Sequence, residues 1–451
     1  MSPFCRVFGT GLTRQGGLGT LVSGNDRGAT KLSSFQSVLG VAALLGLAWF
    51  LSERRKAVVW SAVGKGLALQ VVLALVFLKV PIVRRGLEAL NGLVTALTEA
   101  TRAGTSFVFG YIGGGEPPWV PSGTGSTFVF AFQSLPLILI ISALSALLFY
   151  WNIIPPIVRA LAWGLRRVIG VGGPAGIAVT MNIFVGMVEA PLVIKPYLRT
   201  ETRAGLFVIM TAGMAMVAGT VMVLYATLLD GLIPNPIGQI LTASIMAAPA
   251  TIIVSLIMVP EDPALVGAGK DPSQVALPPR PDDNMMSVIT KGTIDGVQIL
   301  INVIAMLIVL VALVSLANAI IGVLPNVGGA PLTLQRMVGW IMSPVAWLLG
   351  VPWSESITAG SLLGTKTVLN ELIAYTELSK LQAGELSERS RLIMTYALCG
   401  FANFSSIGIT IGGIAAMAPE RRPDIVSLAP KTLISGTIAT CLSGAVIGVL
   451  T

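Results

Sequence analysis

The chain has 451 residues, of which only 11% are charged (29 Lys and Arg, 21 Asp and Glu) and 54% are hydrophobic, with a mean hydropathy of +0.84. A soluble domain carries about 25% charged residues, so this composition excludes an ordinary soluble protein and points to a surface that faces lipid. The net charge of +8 comes without a single histidine, which removes His-based catalysis, histidine metal sites and histidine pH switches. The three cysteines, Cys5, Cys399 and Cys441, are too few for a disulfide scaffold. Lys and Arg cluster at the ends of apolar runs, as topology signals and headgroup contacts rather than as a nucleic-acid surface.

Residues 1–35 are glycine-rich and lack an apolar run, and read as a mobile N-terminal tail, neither signal peptide nor span. Residues 36–152 read as N-terminal scaffold helices, with spans near 36–52, 57–80 and 126–151. Between them, 81–104 interleaves Arg84, Arg85, Glu88, Glu99 and Arg102 with Leu87, Leu90, Leu93 and Leu97, the pattern of an interfacial amphipathic helix. Residues 153–260 begin with a second mixed segment (153–170), then an interrupted segment (171–198), a glycine-rich helix (204–230) and a span (235–260). The polar stretch 261–284, rich in Pro and Asp, reads as the linker between two halves. Residues 285–349 supply interfacial and scaffold helices, with a mixed segment at 283–297 and a span at 298–322. Residues 350–451 hold a second interrupted segment (350–378), a second glycine-rich helix (391–415) and a last span (427–450). The expectation is an all-α integral membrane protein with about eight crossings plus two re-entrant hairpins.

Basic residues in short loops, Arg54, Arg55 and Lys56, Arg159, Arg166 and Arg167, Lys270 and Arg280, and Arg421 and Arg422, mark the cytoplasmic side and place both termini outside. The clusters Arg84, Arg85 and Arg102, and Lys380, Arg389 and Arg391, run against that assignment.

The two interrupted segments carry the functional signal. Each places a carboxylate, Glu189 or Glu371, in apolar surroundings where a charge at mid-helix costs about 2.5–3.5 kcal/mol on insertion scales, so each is expected to line a cavity or meet a partner. Each is followed by a basic turn and a small-residue-rich helix, and the order recurs in the second half. Three crossings separate the hairpins, so the repeat is inverted, with a site near the midplane. Asn403, Ser405 and Ser406 add amide and hydroxyl groups suited to a polyhydroxylated solute. Lys195 and Lys366 read as interface anchors or carboxylate partners. A membrane-embedded enzyme and a channel are the other classes open to such a chain; the enzyme reading has only the Asp282 and Asp283 pair in the linker to supply paired carboxylates.

The strings GMVEAPLVIKPYL (186–198), PWSES (352–356), GTKTVLNELIAY (364–375), CGFANFSSIGI (399–409) and GGIAAMAP (412–419) resemble the concentrative nucleoside transporter family, over roughly 36–451. The resemblance implies a multi-pass protein of a bacterial inner membrane, not an enzyme and without a cofactor. It also implies a homotrimer whose protomers each import a nucleoside by an elevator motion. Glu371 would accept ribose hydroxyls, Asn403 and Ser406 would hydrogen-bond the sugar, and Phe401 would pack beside it. The family's first-hairpin motif, Gly-Gln-(Thr or Ser)-Glu, stands here as Gly186, Met187, Val188 and Glu189. Glu189 is kept, while Met187 and Val188, with Val221, would offer the base an apolar surface. The family's sodium site maps to Asn182 and Val185 and to Met216 and Val217, where the usual hydroxyl is missing. The residues leave the coupling ion open between Na+ and H+, with Glu189 the first proton carrier.

Overall fold

The computed structural model describes residues 24–119, 128–261, 275, 284–382 and 384–451, with side chains from Ser34 onward. Cys5, most of the expected tail and most of the linker, with Lys270, Arg280, Asp282 and Asp283, lie outside the described residues. The described chain is helical throughout, as a bilayer core without water requires, since a helix satisfies its own backbone groups.

Helix α1 (Gly24–Phe50) starts inside the segment expected as tail. It is followed by α2 (Trp60–Lys79) and the amphipathic α3 (Pro81–Phe109), which buries Leu87, Thr101 and Thr105 on one side. Next come α4 (Phe130–Gln133), α5 (Leu137–Tyr150) and α6 (Ile154–Ile169). In α6 the buried residues Ile154, Val158, Ala162, Leu165 and Ile169 fall at helical spacing, and Trp163 and Arg159 face outward.

The first interrupted segment is α7 (Gly173–Met181), α8 (Glu189–Val193) and α9 (Lys195–Leu198). The glycine-rich helix after it is broken into α10 (Arg203–Ala215) and α11 (Gly219–Leu228), followed by α12 (Pro236–Met258). The second half opens with α13 (Met285–Ile321) and α14 (Leu334–Leu348). It then repeats the order with α15 (Trp353–Val368), α16 (Glu371–Lys380), a broken pair α17 (Glu388–Leu398) and α18 (Phe404–Met417), and α19 (Arg422–Leu450).

Six helical runs among the described residues are long and apolar enough to cross a membrane, and two shorter apolar helices, Ser34–Phe50 and Phe404–Met417, fall on the remaining apolar stretches. The mixed segment at 283–297 corrects the expectation of a separate interfacial element: it is the first part of the unbroken 37-residue α13. Lys291 and Asp295 point outward there, while Gly292 and Gly296, four apart, face α5. A Cβ at Gly292 would lie 2.8 Å from that of Ala146, so these glycines let the two helices pack backbone to backbone.

The interior is built from broken and flanking helices. The run Arg203–Leu228 and α12 are almost wholly buried, whereas α13 buries only Val288, Gly292, Gly296 and Val314 and presents its apolar surface outward. Helices α1 and α2 pack on α19 and α12.

Outside the spans, the turn after α1 is fixed by charge. Glu53 accepts hydrogen bonds from Arg203 (2.9 Å) and Lys431 (2.6 Å), and Arg203 also meets Asp424 (3.1 Å). The Arg203 guanidinium, joined by Lys431, holds the Glu53 carboxyl down at about 2. Beside this network, burial and the neighbouring Glu261 carboxylate push Glu201 up to about 7. The Thr202 hydroxyl donates to Glu261 at 2.6 Å and accepts the backbone N–H of Gly205, capping α10.

Candidate functional site

Four interruptions of the helical backbone define the site: residues 182–188 between α7 and α8, 216–218 between α10 and α11, 369–370 between α15 and α16, and 399–403 between α17 and α18. Two of them end at an asparagine cap. Asn370 and Asn403 are extended and cap the helices after them through their side-chain oxygens, an option asparagine takes more readily than helix continuation.

Glu371, the first residue of α16, is 5% exposed. Its Oε1 accepts the Tyr225 hydroxyl at 2.7 Å and its Oε2 accepts Asn403 Nδ2 at 3.2 Å. Asn403 Oδ1 in turn accepts the Ser406 N–H (3.0 Å), the Ser406 hydroxyl (3.0 Å) and the Ser405 hydroxyl (2.7 Å). That chain fixes which way the Asn403 amide points, because only its NH2 can face a carboxylate. The structure therefore brings together Glu371, Asn403 and Ser406.

A separate apolar cluster is formed by Met187, Met214, Ala402 and Leu433, with Val188, Phe401 and Ile407 against it. The first hairpin reaches it by close approach to glycines. A Cβ on Gly213 would stand 2.8 Å from that of Met187, and one on Gly413 would stand 3.0 Å from Val188 Cγ2. Met187, Val188 and Phe401 thus share one surface next to the start of α18, whose cap carries the polar group of Asn403 and Ser406. Val221 is buried in α11, one helical turn before Tyr225.

Glu189 differs from Glu371. It is exposed, its carboxylate folds back over Gly186, and it makes no hydrogen bond or ion pair among the described residues, so the partner that an intramembrane carboxylate calls for is not among them. It opens the five-residue α8, and Val188 before it provides no side-chain cap.

Of the four positions expected to hold an ion, Asn182, Met216 and Val217 are buried and Val185 is half-buried. Asn182 donates its amide to Ala178 O at 3.0 Å, leaving Oδ1 as an acceptor. The bend at Ile183 and Phe184 lies on the first residue of α11, where a Cβ on Gly219 would meet Phe184 O at 2.8 Å. The first interruption thus abuts the start of α11, with the carbonyl oxygens of Ile183 and Phe184 toward Gly219. Val217 O accepts the Ser244 hydroxyl of α12 at 3.3 Å. Lys366 is structural: its Nζ donates to Ala397 O, near the C-terminal end of α17, and to Thr440 Oγ1, both at 2.8 Å. Lys195 is exposed.

Tyr225 and Ser244 are the residues the sequence reading lacks. In an aliphatic run a tyrosine whose hydroxyl must find a partner is the available signal for the first. A lone serine in an apolar helix carries no such signal.

Comparison with known proteins shows the family. Family profiles described as "Na+ dependent nucleoside transporter" match residues 239–448 (C-terminus) and 39–112 (N-terminus), and one described as "Nucleoside recognition" matches 131–231. The chain is 37% identical over 426 residues to an uncharacterized transporter of Haemophilus influenzae, covering 92% of this chain and 98% of that one. It is 32% identical over 425 residues to the nucleoside permease NupC of Helicobacter pylori, covering 92% and 97%. Against mouse sodium/nucleoside cotransporter 1 it is 32% identical over 460 residues, covering 98% of this chain and 67% of that one. Among solved structures, CNTnw in an inward-facing substrate-bound state superposes with a TM-score of 0.81 at 35% identity, covering 92% of this chain and 99% of that one. A CNTnw variant in an outward-facing state gives 0.81 at 34% identity, covering 93% and 98%. With helix breaks, a buried carboxylate and matches along nearly its whole length, the chain belongs to the concentrative nucleoside transporter family, whose members are membrane transporters rather than enzymes.

Proposed function

We propose that this protein is a cation-coupled symporter that imports nucleosides across a bacterial inner membrane by an elevator-type alternating-access motion, working as a homotrimer. The observation that carries the reading is the Glu371 carboxylate, buried at a helix break and held by Tyr225 from one half of the chain and Asn403 from the other. A buried carboxylate at such a place suits the donor hydroxyls of a sugar. The base would lie on the apolar surface of Met187, Val188, Phe401 and Val221, which offers shape and contact but no directional polar partner, so base selectivity is broad. Similarity to CNTnw in inward-facing and outward-facing states supports alternating access.

For the coupling ion the reading is sodium, held between 182–188 and 216–218. Hard cations take oxygen ligands, and Asn182 Oδ1 with the backbone carbonyls of the two breaks supplies them although the side chains of Met216 and Val217 do not.

The test is uptake of labelled uridine into proteoliposomes under an inward sodium gradient, with a proton gradient as the paired arm. Accumulation above equilibrium with sodium alone is the expected result, and Glu371→Gln is expected to lower uptake efficiency by about 10- to 100-fold, the worth of a charge-assisted hydrogen bond. Accumulation with protons alone would overturn the sodium site, and uptake that stops at equilibrium in both arms would overturn symport.

A further inference from the structure

Glu371 is held across the two halves of the molecule by a residue that neither the sugar-binding set nor the ion set includes. Tyr225 sits on α11 in the first half, 2% exposed, and donates its hydroxyl to Glu371 Oε1 at 2.7 Å. Its ring lies 5.0 Å from that of Tyr375, which is itself anchored through its hydroxyl to Thr395 O at 2.7 Å. Tyr225 therefore has little freedom to rotate away: its ring is packed on a buried aromatic ring, and its hydroxyl is bonded to the carboxylate.

A carboxylate has about four lone-pair directions. Here Tyr225 takes one on Oε1 and Asn403 takes one on Oε2, so one direction on each oxygen is left over. Two acceptor sites on adjacent oxygens of a fixed, planar group match two neighbouring hydroxyl donors. Without the Tyr225 hydroxyl, Oε1 would have two free directions and the carboxylate would be held from one side only. A ligand with a single hydroxyl can follow a carboxylate that turns, whereas a ligand that uses both oxygens at once needs the group held still.

We propose that Tyr225 is a positioning residue that aims the Glu371 carboxylate at a vicinal diol, and so makes the transporter prefer ribonucleosides over nucleosides lacking one of the two hydroxyls. The proposal rests on the nucleoside-transport reading and deepens it at the sugar end of the site. Tyr225 acts through Glu371 and touches the sugar only by way of it.

The experiment is binding and uptake of uridine, 2′-deoxyuridine and 3′-deoxyuridine by the full-length protein, as wild type, Tyr225→Phe and Tyr375→Phe. Wild type is expected to favour uridine over both deoxy analogues. Tyr225→Phe is expected to weaken uridine binding about tenfold, to change the maximal rate far less, and to shrink the preference for uridine severalfold because the analogues lose less. Tyr375→Phe removes a buried tyrosine hydroxyl of equal hydrogen-bond length that does not reach Glu371 and keeps the ring on which Tyr225 packs, so it is expected to lower thermal stability while leaving the uridine preference in place. An unchanged preference in Tyr225→Phe, or an equal loss of it in Tyr375→Phe, would overturn the proposal. So would a wild type that binds all three nucleosides equally, a result that stands even if Tyr225→Phe does not fold. A wild type that binds none of the three would overturn the transport reading itself, and is thereby told apart from failure of the Tyr225 step alone.

Discussion

Two glutamates that look equivalent along the chain have opposite surroundings: Glu371 is 5% exposed and accepts two side-chain hydrogen bonds, while Glu189 is exposed and makes none among the described residues. The difference lies in capping. Asn370 caps α16, at whose start Glu371 meets Tyr225 and Asn403, whereas Val188 before Glu189 offers no side-chain cap. Beside Glu189, Met187 is 9% exposed and packs with Met214, Ala402 and Leu433. Replacing this thioether with an amide in Met187→Gln puts a directional donor and acceptor where the base would lie. The expected outcome in competition uptake is a reordered ranking of uridine, cytidine, adenosine and inosine, with spreads of about tenfold or more where an edge is left unpaired. An unchanged ranking would mean that Met187 does not face the base. Glu371, Asn403 and Ser406 were legible in the sequence because charge and amide groups stand out in apolar runs. Tyr225 was not, because an aromatic among Val223, Leu224 and Ala226 reads as core until its hydroxyl is traced to a partner in the other half.

At the scale of the helices, the two halves converge through their interruptions, and small residues decide how closely. Gly213 on α10 faces Met187, and Gly413 on α18 faces Val188, so the first hairpin is seated between a helix of each half. Gly213→Val would drive a side chain into the Met187 Cβ, which sits on a short backbone bend with little slack. Overpacking of this kind costs about 1–3 kcal/mol, and the expected result is a lower melting temperature together with loss of uridine uptake. Gly408→Ala, on α18 with open space around its Cβ position, is the matched control and is expected to keep both. Equal effects of the two would mean that the seating of the hairpin is not what Gly213 secures. Glycine, proline and charge made both interrupted segments visible in the sequence, and glycine-rich composition marked the two broken helices. The residues at which the helices break, 216–218 and 399–403, were beyond reach, since they follow from caps and carbonyl contacts with other elements. The reverse error arose at α13: Lys291 and Asp295 resembled an interfacial segment, but nothing interrupts the backbone there, and the helix runs on.

Across the whole molecule, the charged network at the ends of α1, α10 and α19 ties three distant stretches of chain together and makes stability depend on pH in two opposite ways. The Glu53 carboxyl, held at about 2 by Arg203 and Lys431 against an ordinary value of 4.5, contributes stability that is present above pH 4.5 and is lost as pH falls toward 2. Glu201 has the reverse sign. With its carboxyl pushed up from 4.5 to about 7 by burial and by Glu261, the folded protein binds more protons than the unfolded chain between those values. Its contribution is complete below pH 4.5 and is lost as pH rises through about 7, because the ionised form leaves two carboxylates close together with Arg421 bonding mainly to backbone oxygens, Glu201 O among them at 2.6 Å. Glu201→Gln keeps the size and a hydrogen-bonding group while removing the titration. The expected outcome is a melting temperature for the wild type that declines between pH 5.5 and 8, by on the order of a few degrees, and a flatter profile for Glu201→Gln, with the two curves furthest apart at the alkaline end. Thermal unfolding of the purified protein across that range measures this directly. Parallel curves for the two proteins would show that Glu201 does not titrate between the folded and unfolded states in this window, and that the pairing of Thr202 with Glu261 already relieves the contact between the two carboxylates.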